Sequence, residues 1–293
     1  MNRQDKRVHP LRTIELLAAR LTDKIAIVDV GASDLTPNAP PPYDPLVKAE
    51  LGHVTGFEPN EDQFVKLPQT DTHRYLRLAV GDGEDVTLHI TRYPGFTSSL
   101  KPKRRFVERI GNFERQTKVM RTESLPTVRL DDIAEIERID LLKIDIQGGE
   151  VAAFRGGIGK LQDGLCIHTE VAFNQIYVDQ PTFADQMTIL DTLGFELFNF
   201  FSLSAFPAAA GSADLDRRTR RREFRQIVDG DAVFVPKQER LERMATEEVY
   251  RLLAIMLLSY RAVSFALYLI ELLGNRGEDA AKLKEIVIDE FRL

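Results

Sequence analysis

The stretch "IAIVDVGASD", residues 25–34, is an apolar run that stops at an acid, a glycine and two small residues. Its first six residues read as a buried strand, and the turn after them reads as a place where a ligand meets a sheet. In an open parallel sheet, ligands bind beyond the carboxyl ends of the strands, so the residues just past each apolar run decide the chemistry. Asp29 falls in the last turn of this strand. Gly31 falls at the bend, where a missing side chain lets a ligand approach the backbone. On that reading, valine at position 31 abolishes ligand binding and leaves the fold largely intact.

Working outward, "HVTGF" (53–57) and "YLRLAV" (75–80) read as the second and third strands, and "VTLHIT" (86–91) as a further strand after the turn "GDGED". A polar, basic region runs from Lys101 to Arg121. Beyond it, "IDLLKIDI" (139–146), "LCIHTEV" (165–171), "FELFNFF" (195–201) and "DAVFVP" (231–236) continue the strand series. "EVAAFRGGIGKL" and "DQMTILDTL" carry helical spacing between strands. Alternating strands and helices predict an α/β sheet with crossover helices. The expected organisation is an N-terminal helix (1–24), an α/β domain (25–236) and a C-terminal helical extension (237–293).

The chain has 293 residues, with 45 acids against 39 Lys and Arg for a formal charge of -6. That balance argues against a global electrostatic grip on nucleic acid. A single cysteine, Cys166, builds neither a disulfide framework nor a thiolate metal site, and it reads as a small buried hydrophobe. The N-terminus lacks the features of a signal peptide, which predicts a cytoplasmic protein. "LLAIMLLSYRAVSFALYLI" (252–270) has Arg261 at its middle, where a charge costs about 2.5–3.5 kcal/mol on insertion scales. It is therefore expected as a buried or partner-facing helix rather than a transmembrane segment, with a homodimer through the C-terminal helices or a peripheral membrane contact as ways to cover it. "DRRTRRREFR" (216–225) reads as a solvated loop or as a lid offering arginines to an anionic substrate.

Four strand ends carry acids: Asp29; Glu58 in "GFEPN", two residues before Asn60; Asp82 in "AVGDG"; and Asp145 in "KIDIQGGE". An acid after the second strand suits a bidentate bond to the hydroxyls of a ribose. The first turn, "GASDLTPNAPPP", has one glycine and no Lys or Arg, so it lacks the G-x-G-x-x-G that seats a pyrophosphate. An acidic pocket of this kind favours a cationic nucleoside without phosphate, and S-adenosylmethionine fits.

The series "VDVGAS", "GFEPN", "LAVGDGEDVTLHIT", "TSSLKP", "LLKIDIQGGE", "HTEV", "LGFELF" and "DAVFV" resembles the FkbM-type methyltransferases over roughly residues 25–236. The resemblance implies a Rossmann-like class I methyltransferase fold, a seven-stranded mostly parallel sheet whose last strand is antiparallel. It also implies S-adenosylmethionine as methyl donor and a hydroxyl acceptor on a saccharide, polyketide or similar metabolite. It matches Asp29, Gly31, Ala32 and Ser33 to the donor-binding turn, Glu58 with Asn60 to the ribose, and Asp82 to a polar contact near adenine. Asp145 and Glu150 match the two acids of the family's K-I-D-x-x-G-x-E stretch. Gln147 stands where many relatives have glutamate, which removes a carboxylate near the reaction centre.

Methylating a hydroxyl requires alignment and removal of a proton. "HTEV" offers His168 and Glu170, which alternate to one face of their strand beside Asp145. These are the candidate catalytic residues; Glu170 and Asp145 are also the pair that would bind a divalent cation. Ser98 and Ser99 are candidates to bind the acceptor hydroxyl, and the basic cluster after them would suit an acidic or phosphorylated acceptor. Two rival readings are a nicotinamide-dependent oxidoreductase and a catalytically silent donor-binding protein whose terminal helices dock a partner.

Overall fold

A computed structural model describes residues 10–33, 40–110, 113–208, 218 and 223–291. Its main sheet contains β1 (Ile25–Val30), β2 (Gly52–Phe57), β3 (His73–Leu76), β7 (Leu141–Ile144), β8 (Cys166–Ala172), β9 (Phe195–Phe206) and β10 (Gln226–Pro236). The spatial order is β3-β2-β1-β7-β8-β10-β9. Pairing is parallel from β3 to β8, while β10 runs antiparallel to both β8 and β9. This is the seven-stranded, mostly parallel sheet with an antiparallel last strand that the resemblance implied.

A smaller sheet, ordered β4-β6-β5, is built from β4 (Ala79–Gly81), β5 (Asp85–Thr91) and β6 (Val119–Arg129). The expected single strand "YLRLAV" therefore divides: His73–Leu76 closes the main sheet and Ala79–Gly81 pairs with β6. β6 itself lies partly inside the region read as polar and basic. Only one of its eleven residues is buried and it carries Pro126, so it lacks the apolar alternation by which strands are recognised.

Period-2 alternation sorts the main sheet into two cores. Val28, Val30, Leu142, Ile144, Ile167 and Phe234 pack with Phe154 and Leu190 of the crossover helices on one face. Ile25, Ile27, Leu141, Cys166, Val233 and Val235 face the other way, against Leu17 and the C-terminal helices. Those helices span Thr246–Leu258, Val263–Asn275 and Ala280–Glu290. The first is buried from Leu252 to Leu258, which explains a stretch hydrophobic on all sides. Between the first two the chain turns through Arg261, at φ 51. Among the described residues no helix is long and apolar enough to cross a membrane. The apolar residues that suggested a partner copy or a membrane are largely engaged within the chain.

The C-terminal helices are tied to the rest by buried charge. Arg251 Nε lies 3.1 Å from Asp140 Oδ1, whose other oxygen accepts from the Ala26 amide at 2.7 Å. At the chain's far end, the Glu290 carboxylate accepts from the Thr13 amide (2.9 Å) and hydroxyl (2.6 Å), capping the helix Leu11–Ala18.

Candidate active site

The face of the sheet that carries Ile27, Leu141 and Cys166 continues, two residues on, with Asp29, Lys143 and His168. Parallel register sets Asp29 beside Lys143 and Lys143 beside His168. Beyond them opens a cavity of about 670 Å³, walled by these three residues and by Glu58, Asp145 and Asp231 among others. It lies over the carboxyl ends of the strands, where the fold places ligands.

Asp29 is buried and already engaged: the Tyr43 hydroxyl donates to its Oδ2, and Lys143 Nζ stands 3.2 Å from its Oδ1. Burial alone would lower the Lys143 pKa, but the carboxylates of Asp29 and Asp145 raise it, so the ammonium keeps its charge. Glu58 is buried beyond β2, with Oε1 accepting from the Asn60 amide at 2.7 Å. Desolvation pushes its pKa up to about 7 despite that bond. The Asn60 side chain accepts from the Asp62 amide at 3.0 Å and so caps the helix Glu61–Phe64. Ala32 and Ser33 also line the cavity.

Gly31 has a different reason from the one expected. Its φ is +81, and a Cβ there would sit 2.0 Å from the Asp145 carbonyl oxygen. The glycine admits the backbone of the neighbouring loop, not chiefly a ligand, so valine at this position attacks the fold as well as the pocket.

The loop after β7 is organised around Gln147, a non-glycine residue at φ 57. Its Nε2 donates to Asp145 Oδ1 (2.9 Å) and to both oxygens of Glu170 (2.8 and 2.9 Å), while its Oε1 accepts from the Tyr177 hydroxyl at 2.8 Å. The amide fills the space between the two acids expected to hold a cation. Among the described residues no group of three or more His, Cys, Asp or Glu is placed to bind a metal, and these donors do not fit one. Glu150 accepts from the Ile146 and Gly148 amides and holds this turn; burial raises its pKa to about 7. Glu170 stands behind Gln147 rather than in the cavity wall, its pKa raised well above the usual range by burial and then by Asp145.

Other expected residues fall outside the cavity lining. Asp82 follows β4 in the smaller sheet, where its Oδ1 accepts weakly from the Glu84 amide at 3.4 Å. Because the third strand breaks before Ala79, the acid is carried away from the main sheet's edge. Ser98 is buried, donates to the Gln147 carbonyl at 2.6 Å and accepts from the Leu100 amide at 2.9 Å. Ser99 lies beside the same turn, 3.8 Å from the point a Gly149 Cβ would occupy. The downstream basic residues are exposed, with Lys103 bonded to Gln175 and Arg104 to Glu108. The arginine lid falls largely outside the described residues.

His168, like Asp145, is an expected catalytic residue that the structure places in the cavity wall. Its Nε2 lies 3.8 Å from Asp231 Oδ1 on β10, and Asp231 Oδ2 accepts from the Ser202 hydroxyl at 2.6 Å. Burial would raise the Asp231 pKa; the nearby His168 and the bond from Ser202 outweigh it and hold the carboxyl below its usual range. Asp231 was read only as the start of a strand, and Lys143 only as a motif neighbour. The signal for both was alternation: each sits an even number of residues from a core position on the same face.

The sheet order, the buried acid beyond β2 and the acid-rich cavity together define a Rossmann-like, S-adenosylmethionine-dependent methyltransferase. Residues 29–197 match the family described as the Methyltransferase FkbM domain, and the chain belongs to that family. No curated protein matches the sequence significantly. Among solved structures, Methyltransferase FkbM from Methylobacillus flagellatus KT is similar at 11% identity over 76% of this chain and 58% of that chain (TM-score 0.37). A TehB-like SAM-dependent methyltransferase from Corynebacterium glutamicum is similar at 15% identity over 77% of this chain and 87% of that chain (TM-score 0.34).

Proposed function

We propose that the chain is a cytoplasmic O-methyltransferase whose acceptor is a hydroxyl on an uncharged saccharide or secondary metabolite. One observation carries the reading. Among the described residues, the sole Lys or Arg in the cavity wall is Lys143, and it is engaged by Asp29, whereas Asp44, Glu58, Asp145 and Asp231 also face the cavity. An anionic acceptor would meet repulsion there, and a phosphate would find no free cation among the described residues of the wall. A polyol finds hydrogen-bond acceptors and the aromatic faces of Tyr93 and Phe201.

When bound, S-adenosylmethionine supplies an electrophilic methyl on a sulfonium. In this reading Glu58 holds the ribose hydroxyls, Asp29 and Asp145 set a negative field for the cationic donor, and His168 with Asp231 handles the acceptor's proton. The test is to incubate the protein with the donor and a panel of neutral, carboxylated and phosphorylated sugars, following S-adenosylhomocysteine and the mass of each sugar. Turnover of neutral hydroxyl acceptors is expected. Turnover confined to the phosphorylated or carboxylated ones would overturn the reading.

A further inference from the structure

Tyr260 follows the helix Thr246–Leu258, well beyond the family-matched segment, yet it packs against His168 of the cavity wall. Its hydroxyl lies 3.2 Å from His168 Nδ1, and its ring stacks on the imidazole at 5.9 Å between centroids with 25° between planes. Phe201 meets both rings edge-on, at 5.1 Å from His168 and 6.1 Å from Tyr260. The buried Cys166 thiol also lies beside the phenol. Several neighbours surround His168. Cys166 precedes it on β8, Lys143 is its register partner on β7, Phe201 and Tyr260 cover the ring, and Asp231 faces Nε2.

Backbone bonds fix the turn that carries the tyrosine. The chain closes after it with bonds from Arg261 N to Leu257 O (3.1 Å) and Ala262 N to Met256 O (2.9 Å), through an arginine in the left-handed region.

We propose that Tyr260 is a positioning residue that fixes His168 as the Nε2–H tautomer, so that Asp231 is the group that receives the acceptor's proton. The proposal rests on the methyltransfer reading above and deepens it. A phenol has one proton to give, and an imidazole nitrogen is a far stronger acceptor than a thiol sulfur, so O–H points at Nδ1. The imidazole proton is then on Nε2, aimed at Asp231 across a 3.8 Å gap that is too long for a direct bond. An acceptor hydroxyl seated there accepts from Nε2–H and donates to Asp231. As the new C–O bond forms and the methyl–sulfur pair leaves on sulfur, the hydroxyl proton becomes strongly acidic and passes to the carboxylate. A carboxylate held ionised suffices for a proton released that late. The C-terminal helices are thus part of the active site rather than an appendage.

Long-range ¹H–¹⁵N correlation on ring-labelled protein reads the tautomer directly, with the His168 signals assigned by their loss in His168→Gln. Wild-type protein is expected to show Nε2 protonated and Nδ1 as a hydrogen-bonded acceptor. Tyr260→Phe, which removes one oxygen and keeps the stacked ring, is expected to raise the Nδ1–H population. With a turned-over acceptor it lowers kcat by about 10-fold or more while the donor Kd is unchanged. A wild-type proton on Nδ1, or a tautomer and kcat both indifferent to Tyr260→Phe, overturns the proposal. Should the variant not fold, the wild-type spectrum alone decides. If no hydroxyl acceptor is turned over, the functional reading fails while the tautomer result still stands or falls by itself.

Discussion

Lys143 Nζ and Asp29 Oδ1 face each other at 3.2 Å from matched positions on adjacent parallel strands, with side chains 18% and 6% exposed. A pair this deep is worth little against an apolar replacement of both, but losing one partner strands a charge. Lys143→Met is expected to destabilise by about 3 kcal/mol or more, read from urea unfolding. The Asp29→Asn/Lys143→Met double variant should recover part of that loss; strict additivity would deny the coupling.

Gly31→Ala tests the contact between the first turn and Asp145. Because the added carbon would meet a carbonyl oxygen at 2.0 Å at a positive φ, melting temperature and donor affinity should fall together. Weaker donor binding at unchanged stability would restore the view that the glycine serves a ligand alone.

Gln147→Glu replaces the donor shared by Asp145 and Glu170 with a third carboxylate. Thermal stability should fall, more at alkaline than at mildly acidic pH, where protonation relieves the repulsion. Magnesium should return part of the loss in this variant, since three convergent acids then resemble an oxygen-ligand site. A variant as stable as wild type at alkaline pH without metal would contradict this account of the amide.

Glu58 and Glu150 both titrate near 7 in the folded chain, raised by burial from an ordinary 4.5. Between those values the folded state holds protons that the unfolded state has released. Their contribution to stability is therefore complete below about pH 4.5 and is lost as pH rises through about 7. Urea midpoints of the donor-free protein are expected to decline across that window, and Glu58→Gln to flatten the slope. Donor affinity should move the opposite way, strengthening as Glu58 ionises, with no such dependence in the Gln variant.

Truncation after Lys237 removes the helix Thr246–Leu258, whose Val249 and Leu252–Leu258 sit in the core over β1, β7 and β10. The expected product is insoluble or unfolded, checked by size-exclusion chromatography and circular dichroism. A folded monomer would mean that this face of the sheet tolerates water.

Much of this architecture was legible in advance because continuous apolar runs such as Ile25–Val30 mark strands buried on both faces. β6 was not, since a solvent-facing strand has no hydrophobic period to read. At the site, the turn residues and Glu58 stood out through their place after a strand. Asp82 misled for the same reason, because a strand break at Arg77 and Leu78 has no strong sequence mark. Ser98 looked like a free hydroxyl, and its use by the Gln147 carbonyl depends on a loop 49 residues away. Tyr260 had no local signal at all: its meaning arises only when the C-terminal helices fold back over β8, 92 residues from its partner.

The cap that Glu290 places on the helix starting at Leu11 has a consequence for biosynthesis. The first strand leaves the ribosome early, yet the helices that cover its Ile25 and Ile27 face follow β10 in the chain. A nascent chain must therefore carry an open apolar sheet face until those helices emerge, and the same event brings Glu290 to the helix Leu11–Ala18. Slow translation through the codons for those helices would lengthen the interval in which that face is available to chaperones and to neighbouring nascent chains.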